Sequence, residues 1–180
     1  MHKSAVFFDR DDTLIRDVPY LGDPKKVRLM PGAREALQHL RQAGFVLFIV
    51  SNQSGVGRGV ISADQVSAVN AELIRKLGDA FFEAIYLCYA APGEDDHNCR
   101  KPNPGMLYRA RDEFQIDLTT SWFIGDKIAD MQCARHAGCH ALLVRTGQHD
   151  PAEIKEAEAL AEFAADDLLE AAQYITSSRG

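Results

Sequence analysis

Apolar and polar positions along this chain sort into two alternating kinds of segment. The runs SAVFFD (4–9), FVLFIV (45–50), AIYLCYA (84–90), SWFIGD (121–126) and ALLVR (141–145) are strand-length and apolar at successive positions. Strands buried on both faces read this way. Between them lie stretches with helical spacing. PGAREALQHLRQAGF puts Ala33, Leu37 and Leu40 on one side, with Pro31 at its entry and Gly44 at its stop. Ser62 and Gln65 form a capping-box pattern, and Val66, Val69, Leu73 and Leu77 recur behind it. Further helices are expected from about Pro104 to Phe114, over IADMQCARHAG, over PAEIKEAEALAEF and over DDLLEAAQYI, with a short strand near EFAA. Repeated strand–helix units predict an α/β fold, a doubly wound and mostly parallel sheet covered by helices. No repeat, low-complexity tract or linker interrupts the pattern, so residues 1–180 are read as a single domain.

Composition narrows the class. A formal net charge of −6 argues against nucleic acid as a partner, which calls for a basic face. No apolar run approaches the ~20 residues of a membrane span, and the opening MHKSAVFFD does not read as a secretory signal. Four scattered cysteines do not make a disulfide framework, so a cytoplasmic location is expected. A monomer is the default. Basic residues nonetheless gather in loops, at Arg58, at Arg100 and Lys101, and at Lys127. A small anionic ligand fits that distribution.

The chemistry collects at the strand ends, where parallel sheets bind their ligands. The first strand ends at Asp9 and Asp11, the second at Ser51 and Asn52, and the fourth at Asp126, while Lys101 follows the third. Crowded carboxylates raise one another's pKa unless a cation or a reaction uses them. Carboxylates with a lysine suit Mg²⁺ and a phosphoryl group, which a carboxylate can attack.

DRDDT (9–13), SNQSG (51–55), RKP (100–102) and GDKIAD (125–130), in this order over almost the whole chain, resemble the four-motif signature of the haloacid-dehalogenase-type phosphatases. The NQSG and RG loop, with cysteines before RKP, is similar to the branch of the D-glycero-D-manno-heptose 1,7-bisphosphate phosphatases and the histidinol-phosphate phosphatases. The resemblance implies a Rossmann-like sheet with no separate cap domain. It also implies Mg²⁺-dependent hydrolysis of a sugar phosphate through an aspartyl-phosphate. The C7 phosphate of the heptose bisphosphate comes first as substrate, and histidinol phosphate or another small phosphometabolite is the alternative.

Carried over residue by residue, Asp9 is the nucleophile, and Asp11 protonates the leaving oxygen and then deprotonates water. The carboxylates of Asp9 and Asp126 and the carbonyl of Asp11 hold Mg²⁺. Ser51 and Lys101 bind the transferring phosphoryl, Lys127 reaches it, and Asp130 orients Lys101 or a metal-bound water. Asn52, Gln53, Ser54, Arg58 and Arg100 contact the sugar or its second phosphate, with the segment from Asp17 to Tyr20 as a flap. Asp12 stands where the branch has glycine, and is read as a turn residue. The branch also carries a zinc loop before RKP. Here Cys88 and Cys99 match it, Ala90 replaces its histidine and His97 replaces a cysteine. Cys88, His97 and Cys99 are thus candidate zinc ligands, one short of a closed site unless Asp95 or Asp96 completes it. A metal-free loop with two buried thiols is the alternative. A phospho-accepting signalling domain is the competing class, disfavoured because the third strand ends in CYAAP with no aspartate.

Overall fold

The computed structural model describes residues 2–78, 81–94, 97–147 and 149–178. The apolar runs form six strands, β1 (Ala5–Phe8), β2 (Val46–Asn52), β3 (Phe82–Cys88), β4 (Trp122–Gly125), β5 (His140–Val144) and β6 (Phe163–Ala165). The helices between and after them are α1 (Ala33–Gln42), α2 (Ala63–Leu77), α3 (Gly105–Phe114), α4 (Ile128–Ala137), α5 (Pro151–Leu160) and α6 (Leu168–Ser177). All strand pairs are parallel, in the order β3-β2-β1-β4-β5-β6. The expected doubly wound sheet is therefore present, with its order reversing between β1 and β4. Such a switch point opens a crevice at the carboxyl ends of the strands.

Each face of the sheet has its own core. Leu37 and Leu40 of α1, Val69 and Leu73 of α2, and Leu168 and Ile175 of α6 pack with Val6, Phe8 and Ile49. On the other face, Met106 and Leu107 of α3, Met131 and Cys133 of α4, and Ala157 of α5 pack with Phe7, Phe48 and Phe123. Alternation along β1 sends Phe7 and Phe8 to opposite cores, which is why the strand is apolar throughout. Phe7 stacks on Phe48 with centroids 5.3 Å apart, a pairing worth about 1 kcal/mol beyond its buried area. The capping box of α2 forms as expected, Gln65 N–H donating to Ser62 Oγ at 3.1 Å and Ser62 N–H to Gln65 Oε1 at 2.8 Å.

Among the strands, β2 and β3 depart most from the sequence reading, and α5 stops at Leu160 rather than reaching Phe163, which opens β6. β2 runs on through Ser51 to Asn52, because its pairing with β3 continues to Asn52↔Cys88. β3 starts at Phe82 and stops at Cys88, earlier at both ends than AIYLCYA. It is an edge strand with half-exposed positions, so its hydrophobic pattern marks the ends weakly. No helix among the described residues is long and apolar enough to cross a membrane.

Candidate active site

The register places the acidic groups. Phe8 pairs with Ile49 on one side and Ile124 on the other. The chain therefore leaves the sheet at Asp9 with the ends of β2 and β4 beside it, and Asp9 N–H still donates to Ile124 O at 3.0 Å. Ser51 stands at the end of β2 and Asp126 directly after β4. Lys101, from the β3–α3 link, is buried among them. Its Nζ lies 2.8 Å from Asp9 Oδ1 and 2.6 Å from Asp130 Oδ1, and donates to Val50 O at 3.1 Å. Asp130 reaches in from the first turn of α4, and accepts from Lys127 N–H at 3.1 Å through Oδ2. Gly125 makes that approach feasible, since a Cβ there would clash with the Asp130 carboxylate.

Burial and charge compete at each group. Burial raises the Asp9 carboxyl, but the charges of Lys101 and Lys127 and the hydrogen bond from Lys101 outweigh it and hold the group below its ordinary value. Burial pulls Lys101 down; the carboxylates of Asp130 and Asp9 outweigh this and raise it above its ordinary value. Asp130 is pushed up to about 7 by burial, against the pull of Lys101. Asp126 is also raised, first by burial and then by the charge of Asp9, against the hydrogen bond from His149. Carboxylate oxygens of Asp9, Asp126 and Asp130 all lie within 4.8 Å of one another. Asp126 Oδ1 is buried with no hydrogen-bond partner. An orphaned carboxylate oxygen in a converging acidic group fits a hard divalent cation.

Asp11 is held by a different set of groups. Arg10 Nη2 bonds both of its oxygens at 3.0 Å, and Gln53 Nε2 donates to Oδ2 at 2.9 Å and also to Ser51 Oγ at 2.9 Å. Asp12 adopts φ 56°, a left-handed backbone that favours glycine and that aspartate tolerates by local hydrogen bonding. Its Oδ1 accepts from Asp17 N–H at 2.9 Å, and its carbonyl accepts from Thr146 Oγ1. The turn reading of Asp12 agrees with this geometry.

Beside Asp11 opens a cleft of about 300 Å³. Asp17, Tyr20, Asn52, Gln53, Ser54 and Lys127 line it together with Arg10 and Asp11. Arg58 and Arg100 are not among its lining residues. Arg58 is exposed, and Arg100 donates from Nη1 to Ala90 O at 3.0 Å. Asn52 has a structural duty as well, since its side-chain amide bonds both the carbonyl (3.1 Å) and the N–H (3.0 Å) of Lys101. That clamp fixes the backbone carrying the buried lysine.

The HAD-hydrolase-like family model matches residues 98–171. A D-glycero-D-manno-heptose-1,7-bisphosphate 7-phosphatase of Chlorobaculum tepidum is 35% identical, over 93% of this chain and 91% of its own. A D-glycero-beta-D-manno-heptose-1,7-bisphosphate 7-phosphatase of Vibrio cholerae is also 35% identical, over 97% of both chains. This chain belongs to the haloacid-dehalogenase-like phosphatases. Among solved structures it resembles the D,D-heptose 1,7-bisphosphate phosphatase of B. bronchiseptica complexed with magnesium and phosphate, with a TM-score of 0.84 and 27% identity. The match covers 97% of this chain and 99% of that one.

Within the haloacid-dehalogenase-like family, the cysteine loop of this member corrects one expectation. Cys88 and Cys99 are joined as a disulfide, with Cα atoms 5.5 Å apart. Neither the zinc set of Cys88, His97 and Cys99 nor the pair of free thiols is formed, because each sulfur is spent on the other and a cysteine binds zinc only as a thiolate. Asp95 and Asp96 lie outside the described residues. Cys133 and Cys139 are free and buried, the small core residues expected. Alkylation of the denatured, unreduced protein is expected to label these two thiols alone. Labelling of all four cysteines in protein kept from reductant would contradict the bond.

The sequence reading also missed two groups. His149, in the loop after β5, places Nε2 2.6 Å from Asp126 Oδ2, its ring N–H donating to the carboxylate. A fifth strand end was available as a signal, but His149 stands five positions beyond Val144, where β5 ends. Arg10 is the other, a buried guanidinium that stands between Asp9 and Asp11 in the sequence.

Proposed function

We propose that this chain is a Mg²⁺-dependent phosphatase that removes the C7 phosphate of D-glycero-D-manno-heptose 1,7-bisphosphate through an aspartyl-phosphate on Asp9. The observation that carries this reading is the buried Asp9–Lys101–Asp130 cluster at the sheet switch point, with the unpartnered Asp126 oxygen beside it. The names of the relatives supply the substrate.

Asp9, Asp126 and the carbonyl of Asp11 would hold Mg²⁺, whose charge would neutralise the acidic group and the phosphoryl oxygens. Lys101 holds Asp9 Oδ1, so the other oxygen attacks phosphorus. The bond from phosphorus to the sugar oxygen breaks, and the Asp11 carboxyl gives that oxygen its proton. Asp11, now a carboxylate, takes a proton from the water that attacks phosphorus; the bond to Asp9 breaks and phosphate leaves. Lys101 and Lys127 balance the charge that builds on the phosphoryl oxygens, which is where such transfers gain most of their rate. Asp17, Tyr20, Asn52, Gln53 and Ser54 present polar groups and one ring to the sugar along the cleft.

The test is phosphate release with Mg²⁺ on both anomers of the heptose bisphosphate, on histidinol phosphate and on a pool of sugar monophosphates. A preference for the bisphosphate of about a hundredfold or more in kcat/KM, some 3 kcal/mol, supports the substrate. Even, weak activity across the pool contradicts it. Arg100→Ala is expected to lower kcat/KM on the bisphosphate more than on monophosphates, since a planar guanidinium in the loop that carries Lys101 suits a second phosphate. Equal losses would remove that role.

Cation binding has a readout apart from turnover. Asp126 and Asp130 both hold protons more tightly than free aspartate, Asp130 up to about 7 and each chiefly through burial. In the metal-free protein, these raised groups make stability fall as pH rises from the free-aspartate range toward 7. A cation competes with those protons, so saturating Mg²⁺ is expected to raise Tm by about 5–10 °C near pH 8 and by less near pH 5. A gain independent of pH would contradict the ligand assignment.

A further inference from the structure

Helix α2 carries a polar residue on the face where its packing asks for an apolar one. Asn70 lies one turn after Val66 and one turn before Leu73, on the stripe that Val69 and Leu77 complete, and is only 6% exposed. Asparagine is a weak helix former, and its amide is costly inside a core unless bonded. Its partner comes from sixty residues away, Arg10 Nη1 donating to Asn70 Oδ1 at 3.0 Å.

Arg10 is 1% exposed and heads the largest fully buried side chains. Its guanidinium has one edge on α2 and the other on Asp11. Nε reaches Asp11 Oδ1 at 3.2 Å, while Nη2 reaches Oδ1 and Oδ2 at 3.0 Å each. A planar fork fixed at one end constrains what it grips at the other, in plane as well as in distance. Gln53 closes the opposite side of Asp11 at 2.9 Å. The carboxyl is held between an arm anchored on a rigid helix and an amide anchored on Ser51.

We propose that Asn70 is a positioning residue for proton transfer, acting through Arg10 to set where the Asp11 carboxyl stands relative to the leaving oxygen. The inference rests on the reading of Asp11 as the general acid. General acids contribute about 10²–10⁴ in rate, and a misplacement of ~1 Å forfeits a large share of that. Loosening Arg10 costs the enzyme in proportion to how much the leaving group needs a proton. An alkoxide from a sugar needs one, and a nitrophenolate does not.

The experiment compares kcat/KM, which ends at the first irreversible step, for the heptose bisphosphate and for p-nitrophenyl phosphate. Asn70→Ala is expected to lose about tenfold on the sugar phosphate and less than about threefold on the aryl phosphate. Asn70→Asp keeps an acceptor oxygen for Arg10, and is expected to restore the wild-type ratio. The ratio is taken within one preparation, so a partly unfolded variant does not distort it. Equal losses on both substrates, no loss on either, or an Asp variant no better than Ala would overturn the proposal. Asp11→Asn separates the two layers. If it shows no bias toward the aryl substrate, the acid assignment itself is wrong; if it does and Asn70→Ala does not, only the positioning role falls. Should the wild type refuse the heptose, the sugar monophosphate it hydrolyses best takes its place in the same comparison.

Discussion

Asp9→Asn is expected to lower phosphate release by about four orders of magnitude or more, the scale on which enzymes lose rate when a covalent nucleophile is removed. The amide has nearly the carboxylate's shape but is a far poorer nucleophile. The fold should survive, because the substitution removes one of two carboxylates around Lys101 and leaves Asp130 at 2.6 Å to pair with it. Single-turnover rates together with a thermal melt check both halves of this expectation. A variant with a native melt and a near-normal rate would mean that phosphorus is attacked by something other than Asp9.

Lys101→Met is expected to damage both stability and activity. Lys101 is buried between two buried carboxylates and bonds the end of β2 through Val50 O. A methionine fills similar space but leaves Asp9 and Asp130 facing each other without a cation. Breaking a buried ion pair from one side costs about 3–5 kcal/mol, which for a chain of this size is a fall of about 10 °C in Tm. Part of that loss should be relieved in acid. Asp130 already sits at about 7 because of its burial, and without Lys101 it holds its proton to higher pH still. The variant's deficit relative to wild type is therefore expected to shrink as pH falls through this range and Asp130 is neutralised. Melts at several pH values check this; a deficit that grew toward low pH would show that the lysine is not the countercharge. Turnover should fall by at least about a hundredfold, since a preorganised charge on the phosphoryl group is lost.

The sheet was legible because two-sided burial writes apolar runs into the sequence. Asp9, Ser51 and Asp126 were legible because each closes such a run, and a parallel sheet gathers its strand ends at one edge. What escaped shares a single physical feature. The Arg10–Asn70 bond, the Asn52 clamp on Lys101 and the His149–Asp126 contact join residues far apart in the chain. Only the tertiary fold, which gathers strand ends, loops and one helix face at the same edge, brings those pairs together. Asn70 interrupts an apolar stripe and Arg10 stands between two acids, and neither residue type names its partner. The cysteine loop misled for another reason. Two cysteines eleven residues apart suit a metal or a disulfide equally well, and the loop's path alone decides between them.

The most direct test of the central claim is to trap the intermediate. Wild-type protein with Mg²⁺ and the heptose bisphosphate is quenched in acid within the first turnover, and its peptides are weighed. The account predicts one phosphoryl group, on the peptide carrying Asp9, that is absent in Asp9→Asn and disappears as turnover completes. A phosphoryl group on another residue, or phosphate released in the first turnover with none ever bound to the protein, would contradict it.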